Sequence, residues 1–278
     1  MRSARQRDRH AEKVKPGREN EICRVTFLGH SSVLIRMDGK SILADPNLSR
    51  RIFFFIRRRT PAPPASALKA VDLILISHGH YDHLDLPTLR TLPSETPVIV
   101  PEGLERVVRW GGMKQVVTLQ RWEAHHLGSV IVTAVPVKHF RGRPPLFPRT
   151  GYNGYVIEGK ATVFFAGDSG LFEGMAEIGR KWDIDIALLP IGAYEPRSFR
   201  RHHMSPEDAL EAGRMLRAKV IVPIHWGTFK LSLEPFDEPA RRLKEAASRA
   251  GLSSMVRILL PSESLVVRGD ASIETIGD

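Results

Sequence analysis

Cysteine is almost missing from this chain: Cys23 is the single one in 278 residues. An internal disulfide and a cysteine-rich metal site are therefore both excluded, and the usage suits a reducing compartment. No run approaches the ~18 consecutive apolar residues of a membrane-spanning helix, and the N-terminus has no signal-peptide apolar core. A cytoplasmic protein is expected, soluble or in peripheral contact with a membrane. No Gly-x-Ser-x-Gly run offers a serine nucleophile. No short repeat is visible, and no linker-like stretch splits the chain. What remains is ordinary: 42% of the residues are apolar, enough for a sizeable core.

The net positive charge is unevenly placed. Residues 1–20 carry seven Lys/Arg against three acids, and residues 50–59 carry five arginines and no acid. These two stretches supply +9 of the net charge of +10, so the remaining body is nearly neutral. A high isoelectric point of this origin does not argue for a nucleic-acid-binding domain. Residues 1–20 are polar, basic and aperiodic, as in a disordered tail.

From Ile22 the pattern changes. Apolar runs at Ile22–Leu28, Ser32–Met37 and Ser41–Ala44, broken by Gly-His and Asp-Gly, predict a meander with a hairpin turn at Asp38-Gly39. Val71–Ser77 reads as a buried strand. Further strands are expected at Val98–Val100, Val130–Val137, Tyr155–Ile157, Thr162–Ala166, Ile184–Pro190, Val220–Pro223, Val256–Leu260 and Ser264–Val267. Helical patterns cover Glu102–Trp110, Leu171–Trp182, Pro206–Arg217 and Glu238–Ala250, with Ser205 and Asp208 placed like a helix cap and its N3 partner. The fold class is α/β of the α+β type, one domain over 21–278 with two packed sheets covered by helices.

The chemistry concentrates in His78-Gly79-His80-Tyr81-Asp82-His83, directly after the Val71–Ser77 run. In extended chain His78 and His80 share one side, and Gly79 allows a tight path between them. They can bind one metal together, while Asp82 and His83, beyond the turn, can face a second. Imidazole and carboxylate donors suit Zn²⁺, with Mn²⁺ or Fe²⁺ next. Packing a loop with three histidines and an aspartate for structural reasons alone would be costly.

His-x-His-x-Asp-His after an apolar strand resembles the hallmark of the metallo-β-lactamase superfamily, and later candidates follow in order. His139 comes after Ala134-Val135-Pro136-Val137, Asp168 lies in Phe164-Phe165-Ala166-Gly167-Asp168-Ser169-Gly170, and His225 in Ile221-Val222-Pro223-Ile224-His225-Trp226-Gly227. The resemblance implies a four-layer αββα sandwich with two divalent metal ions. His78, His80 and His139 would hold one, Asp82, His83 and His225 the other, and Asp168 would bridge them. Asp45, in Leu43-Ala44-Asp45-Pro46, would orient a ligand histidine by a hydrogen bond; starting an Asp-Pro turn is the competing reading. His30, in Gly29-His30-Ser31-Ser32, is a supporting site residue or a structural one.

Across about residues 24–230 the resemblance narrows. Gly29 to Val33, Ile76 to Asp85, Phe164 to Gly170, Pro190 to Arg197 and Ile224 to Phe229 are similar to the branch containing N-acyl-phosphatidylethanolamine-hydrolysing phospholipase D. This branch is also related to ascorbate-6-phosphate lactonases. It implies a phosphodiesterase acting on N-acyl-phosphatidylethanolamine-like phospholipids through a metal-bridging hydroxide. Where that phospholipase has Trp-Gly-Ser-Trp, this chain has Tyr152-Asn153-Gly154-Tyr155, with smaller rings that carry hydroxyls. Tyr152, Tyr155, Tyr194 and Arg197 are candidate pocket residues, although Tyr194 could be packed and Arg197 paired with Glu195. His203, before a helix in His203-Met204-Ser205-Pro206, is a candidate phosphate contact or general acid beside Asp82 and Asp168; a solvated loop position is the alternative. His125 and His126 read as a solvated loop pair.

Arg50-Arg51-Ile52-Phe53-Phe54-Phe55-Ile56-Arg57-Arg58-Arg59 follows Asp45 closely. Aromatics flanked by arginines suit contact with an anionic membrane; a segment that packs its phenylalanines inward is the other reading. Two further functions compete with the phosphodiesterase. A lactone or carboxyl-ester hydrolase would use the same hydroxide. A nucleic-acid processing protein would use the basic stretches, but the near-neutral body leads us to expect no nucleic-acid partner.

Overall fold

The computed structural model describes residues 20–64, 68, 70–143 and 149–277. The expected basic tail lies outside these residues except for Asn20. Strands β1 (Glu21–Gly29), β2 (Ser32–Met37) and β3 (Lys40–Ala44) form the anticipated antiparallel meander. Its second turn lies at Asp38-Gly39, with φ of 53° and 71°, the left-handed pair that a two-residue hairpin turn needs. A small hairpin of β4 (Arg51–Ile52) and β5 (Ile56–Arg57) follows. β6 (Leu73–Leu75), β7 (Val98–Val100) and β8 (Val116–Thr118) then extend the sheet parallel to β3. Helices α1 (Leu86–Leu89) and α2 (Glu105–Trp110) make the crossovers.

The second sheet starts antiparallel with β9 (Ala124–Leu127), β10 (Val130–Val135), β11 (Gly154–Glu158) and β12 (Thr162–Phe165). It continues in parallel through α3 (Gly174–Lys181) to β13 (Ile186–Pro190), and through α4 (Pro206–Met215) to β14 (Val220–Ile224). Ser205 and Asp208 cap α4 reciprocally. After α5 (Glu238–Arg249) the chain returns to the first sheet as β15 (Ser264–Arg268) beside β1, with β16 (Ile273–Ile276) at the edge.

Strand alternation explains how these parts stack. Val25, Ile35, Ile157 and Phe165 point between the sheets. Their neighbours turn the other way: Leu34 and Leu43 meet Leu89 and Val107 on one outer face, while Val156 and Phe164 meet Met175 and Leu210 on the other. The result is the expected αββα order of layers. No helix among the described residues is long and apolar enough to cross a membrane.

Several expectations need correction. Val256–Leu260 is not a strand; it meets the edge strand β14 through one bridge, Val256 to Ile221. His125 and His126 lie on β9, not in a loop. Residues 50–59 do not pack their rings inward: Phe54 is 94% and Phe55 74% exposed at the hairpin tip. Tyr155 is no pocket residue, because β11 alternation turns it into the layer between the sheets, fully buried. There its hydroxyl donates to the Ile76 carbonyl at 2.8 Å. Together with Asn153 N–H donating to the Ser77 carbonyl at 2.9 Å and a bridge between His78 and Tyr152, this bond ties the second sheet to the end of β6. Tyr155→Phe should therefore lower unfolding stability by about 1–3 kcal/mol, the cost of removing one partner of a buried hydrogen bond. Urea denaturation measures it, and an unchanged midpoint would show that the strut carries no weight.

Candidate metal centre

Six strands of the two sheets run in one direction and stop at a shared edge, where α/β sheets build their sites. Each delivers a polar side chain just beyond its end. His30 follows β1, Asp45 follows β3 and His78 lies past β6; His139 lies past β10, Asp168 past β12 and His225 directly after β14. Two of these approaches demand glycine. A Cβ on Gly167, whose φ is 59°, would collide with the Ser77 side chain, and one on Gly192 with the His225 carbonyl.

The ring nitrogens converge in two groups. In the first, His78 Nε2 lies 2.9 Å and His139 Nε2 3.1 Å from His80 Nδ1. In the second, Asp82 Oδ2 lies 3.5 Å from His83 Nε2 and 3.3 Å from His225 Nε2. Asp168 stands between them. Its Oδ2 is 3.7 Å from His78 Nε2, 4.0 Å from His139 Nε2 and 3.1 Å from His83 Nε2, and its Oδ1 is 3.4 Å from His225 Nε2. Tetrahedral zinc with ligand bonds of ~2.0–2.1 Å has ligand–ligand edges of ~3.4 Å, so these spacings fit. The donor chemistry fits as well: three imidazole nitrogens this close cannot all satisfy one another with protons. Asp168 Oδ1 and His83 Nε2 are buried with no hydrogen-bond partner among the described residues.

Hydrogen bonds from behind set which nitrogen faces inward. Asp45 accepts from the Ser77 backbone N–H and from His83 Nδ1–H, both at 2.7 Å, and from the Ser77 hydroxyl. Ser77 Oγ in turn lies 2.9 Å from His78 Nδ1 and accepts its proton. His83 and His78 therefore both turn Nε2 toward the centre, and one carboxylate aims a histidine of each group. His139 Nδ1 donates to the His202 carbonyl at 3.1 Å, and His30 Nε2 donates to Asp82 Oδ2 at 2.9 Å.

Burial is the main electrostatic force here. It pushes His78 and His139 well below the usual imidazole range, His30 to about 3 and His203 to about 4, with neighbouring histidines adding to the shift at each. Burial opposes ionisation of Asp82 and Asp168 too, yet the surrounding imidazoles hold both well below the carboxylate range. His83 is the exception: despite burial, Asp168 and Asp82 hold its proton well above the usual range. A cation would replace that proton.

His203 is brought in, its Nδ1 3.7 Å from Asp168 Oδ2. Tyr152 stands beside His139, ring centroids 6.1 Å apart. Tyr194 is not at the site: its buried hydroxyl donates to Glu238 Oε1 at 2.7 Å, toward α5. Arg197 is exposed in the 3-10 turn Arg197–Arg201, and Glu195 pairs with Arg200 instead. Sequence reasoning missed Arg143, which is buried and donates to the carbonyls of Gly79 at 2.7 Å and Leu84 at 2.9 Å. It spans both ends of the ligand loop and lies over the Tyr81 ring. It also missed Phe140, which covers His80 and His139. Ser77 directly precedes the motif and was there to be seen; Arg143 has no local signal.

The Beta-lactamase superfamily domain matches residues 40–226. An uncharacterized protein of Mycobacterium tuberculosis is 35% identical over 80% of this chain, and the chain spans 63% of that relative's length. A metal-dependent hydrolase of Pelotomaculum thermopropionicum is 34% identical over 87% of this chain and 99% of its own. An N-acyl-phosphatidylethanolamine-hydrolyzing phospholipase D of Caenorhabditis elegans is 33% identical over 79% of this chain and 68% of its own. Among solved structures, a metallo hydrolase of Ignicoccus hospitalis is similar with a TM-score of 0.64 and 25% identity, over 92% of this chain and 99% of its own.

Two outcomes follow. Asp45→Ala should weaken metal binding about 10–100-fold, the usual effect of losing an outer hydrogen-bond partner, as read by chelator competition; unchanged affinity would remove Asp45 from its orienting role. Metal-free protein should lose thermal stability as pH falls from 7 to 4. The depressed histidines stay neutral in the fold, whereas the unfolded chain takes up protons below ~6.5. Their stabilisation is thus complete above that pH and is lost toward the folded values, and the depressed Asp82 and Asp168 lose theirs lower still. His83, with its raised value, reaches its full contribution below ~6.5 and is constant from there to pH 4, so it does not offset the loss. Calorimetry against pH checks the sign.

Proposed function

The chain belongs to the metal-dependent hydrolases of the metallo-β-lactamase superfamily, and from this premise we propose that it is a dinuclear phosphodiesterase acting on phospholipids of the N-acyl-phosphatidylethanolamine type. The observation that carries the dinuclear reading is Asp168, whose two oxygens face histidines of both groups. In this reading residues 21–278 are the hydrolase domain. His78, His80 and His139 would hold one ion and Asp82, His83 and His225 the other, with Asp168 available to both. Zn²⁺ suits these donors best, before Mn²⁺ or Fe²⁺. When bound, such a pair supplies an activated water near neutral pH and offsets charge on the substrate oxygens.

The chain's own groups do the rest. Asp45 and Ser77 keep His78 and His83 in the ligand tautomer, and His30 steadies Asp82. His203, neutral at pH 7 because of its burial, donates its N–H to a substrate phosphate oxygen. The phosphate charge beside it favours uptake of a second proton from solvent as substrate binds, and the protonated ring gives that proton to the alkoxide as the P–O bond breaks, returning to neutral.

The phospholipid assignment is supported by the activity for which the worm relative is named and by the two grooves flanking the candidate ligand loop. On one side an apolar groove of about 470 Å³ runs along Ile52, Phe53, Tyr81, Leu86 and Pro87. On the other a polar groove of about 280 Å³ is edged by Arg121, Arg141 and Tyr152. An acyl chain fits the first and a charged or hydroxylated group the second.

Metal-loaded protein should release phosphatidic acid from N-acyl-phosphatidylethanolamine in preference to opening acyl lactones or cutting RNA. Turnover of lactones alone would overturn the substrate reading. His203→Ala should lower kcat by at least about 10²-fold with metal content unchanged; a wild-type rate would take His203 out of the reaction.

A further inference from the structure

The β4–β5 hairpin is the least explained feature of the surface. Phe53 and Phe54 at its tip adopt left-handed backbone, φ 49° and 63°, and Phe54 is 94% exposed beside Phe55 at 74%. Leaving such rings in water is unfavourable unless a partner covers them. Around the base lies a cleft of about 1080 Å³, edged by Arg50, Arg51, Arg57, Arg59 and Lys230. Arg58 does not share their role, because it turns inward to the Asn47 and Ser49 carbonyls and the Phe229 ring. The nearest acid of the neighbouring groove, Asp85, is already engaged by Ser49 and Thr88. The surface is thus an apolar tip in a ring of cations.

From this we infer that the hairpin docks the protein on anionic phospholipid bilayers, with Phe54 and Phe55 entering the interface and the arginines holding lipid phosphates. Apolar insertion and basic residues act together in such binding. Charge decides against a second copy of this chain, since two five-arginine hairpins repel each other. RNA is disfavoured because the body beyond the hairpin is nearly neutral and gives a nucleic-acid backbone no basic track to follow; Phe53 is already occupied, against Tyr81 at 4.7 Å and Phe55 at 6.3 Å.

The contact with Tyr81 gives docking a consequence for the centre. Tyr81 sits between His80 and Asp82, so the hairpin turn touches the candidate ligand loop through Phe53, and the apolar groove lies along that contact. A docked molecule would present this groove to the bilayer. That consequence rests on the phospholipid reading above; the docking itself does not.

The test is cosedimentation of the full chain with vesicles of equal parts phosphatidylcholine and phosphatidylglycerol, beside vesicles of phosphatidylcholine alone. The intact protein should bind the anionic vesicles at least about tenfold more tightly. Phe54→Ser/Phe55→Ser and, separately, Arg50→Gln/Arg57→Gln should each reduce that binding about tenfold or more, with turnover of soluble bis(p-nitrophenyl) phosphate unchanged. Equal binding to both vesicle types, variants that sediment like the intact protein, or displacement from vesicles by poly-U would each overturn the proposal. Vesicle binding by a protein without phosphodiester turnover would sink the function reading alone and leave docking supported.

Discussion

One buried carboxylate organises this molecule. Asp45 takes the Nδ1 proton of His83 directly and that of His78 through the Ser77 hydroxyl. Two histidines that belong to different groups are therefore locked with Nε2 inward by the same acid. An imidazole has two nitrogens, and a ligand histidine without such a partner is free to turn and to carry its proton on the nitrogen that should face the ion. Asp45 is fully buried, with φ of 40°, at the end of β3. Its own position follows from the parallel pairing of β3 with β6, which sets it beside Ser77.

The centre it supports is electrostatically expensive. Asp82, Asp168 and five ring systems occupy a region from which water is largely removed. Burial alone would neutralise them, and without a cation Asp168 and Asp82 hold a proton on His83 well above the usual imidazole range. Such a cluster persists because the surrounding sheets do not depend on it: three apolar layers hold the strands in register. The strut from Tyr155, Asn153 and Tyr152 then fixes the second sheet against the ligand loop, and Arg143 closes the loop's two ends. Stability is drawn from the layers, and the energetic cost is confined to one edge.

Much of this was legible in the residues. The meander turn, the capping box of α4 and the long central strands follow local rules that depend on few neighbours, and they appear where expected. The misses have a common cause. β8, β9 and β16 are edge or near-edge strands of three or four residues, too short for period-two alternation to stand out. α1 spans four residues and has no periodicity to read. Tyr155 is instructive, since its parity with Ile157 already placed it between the sheets, and only the likeness of aromatic spacing to a pocket motif argued otherwise. Tyr194 and Arg197 stand in a run that resembles the phospholipase branch, yet one packs against α5 and the other faces solvent.

What the sequence by itself determined is the chemistry on offer: which side chains could bind metals, in what order they follow strands, and hence which fold could gather them. Those properties live in residue type and short-range pattern. Tertiary structure alone decided which nitrogen of each histidine faces inward, that Arg143 clamps the loop, and that the phenylalanines of the hairpin point outward. Each of these depends on contacts between segments tens to hundreds of residues apart, as between Asp82 and His225. Such contacts exist only once β1, β3, β6, β10, β12 and β14 end at the same edge.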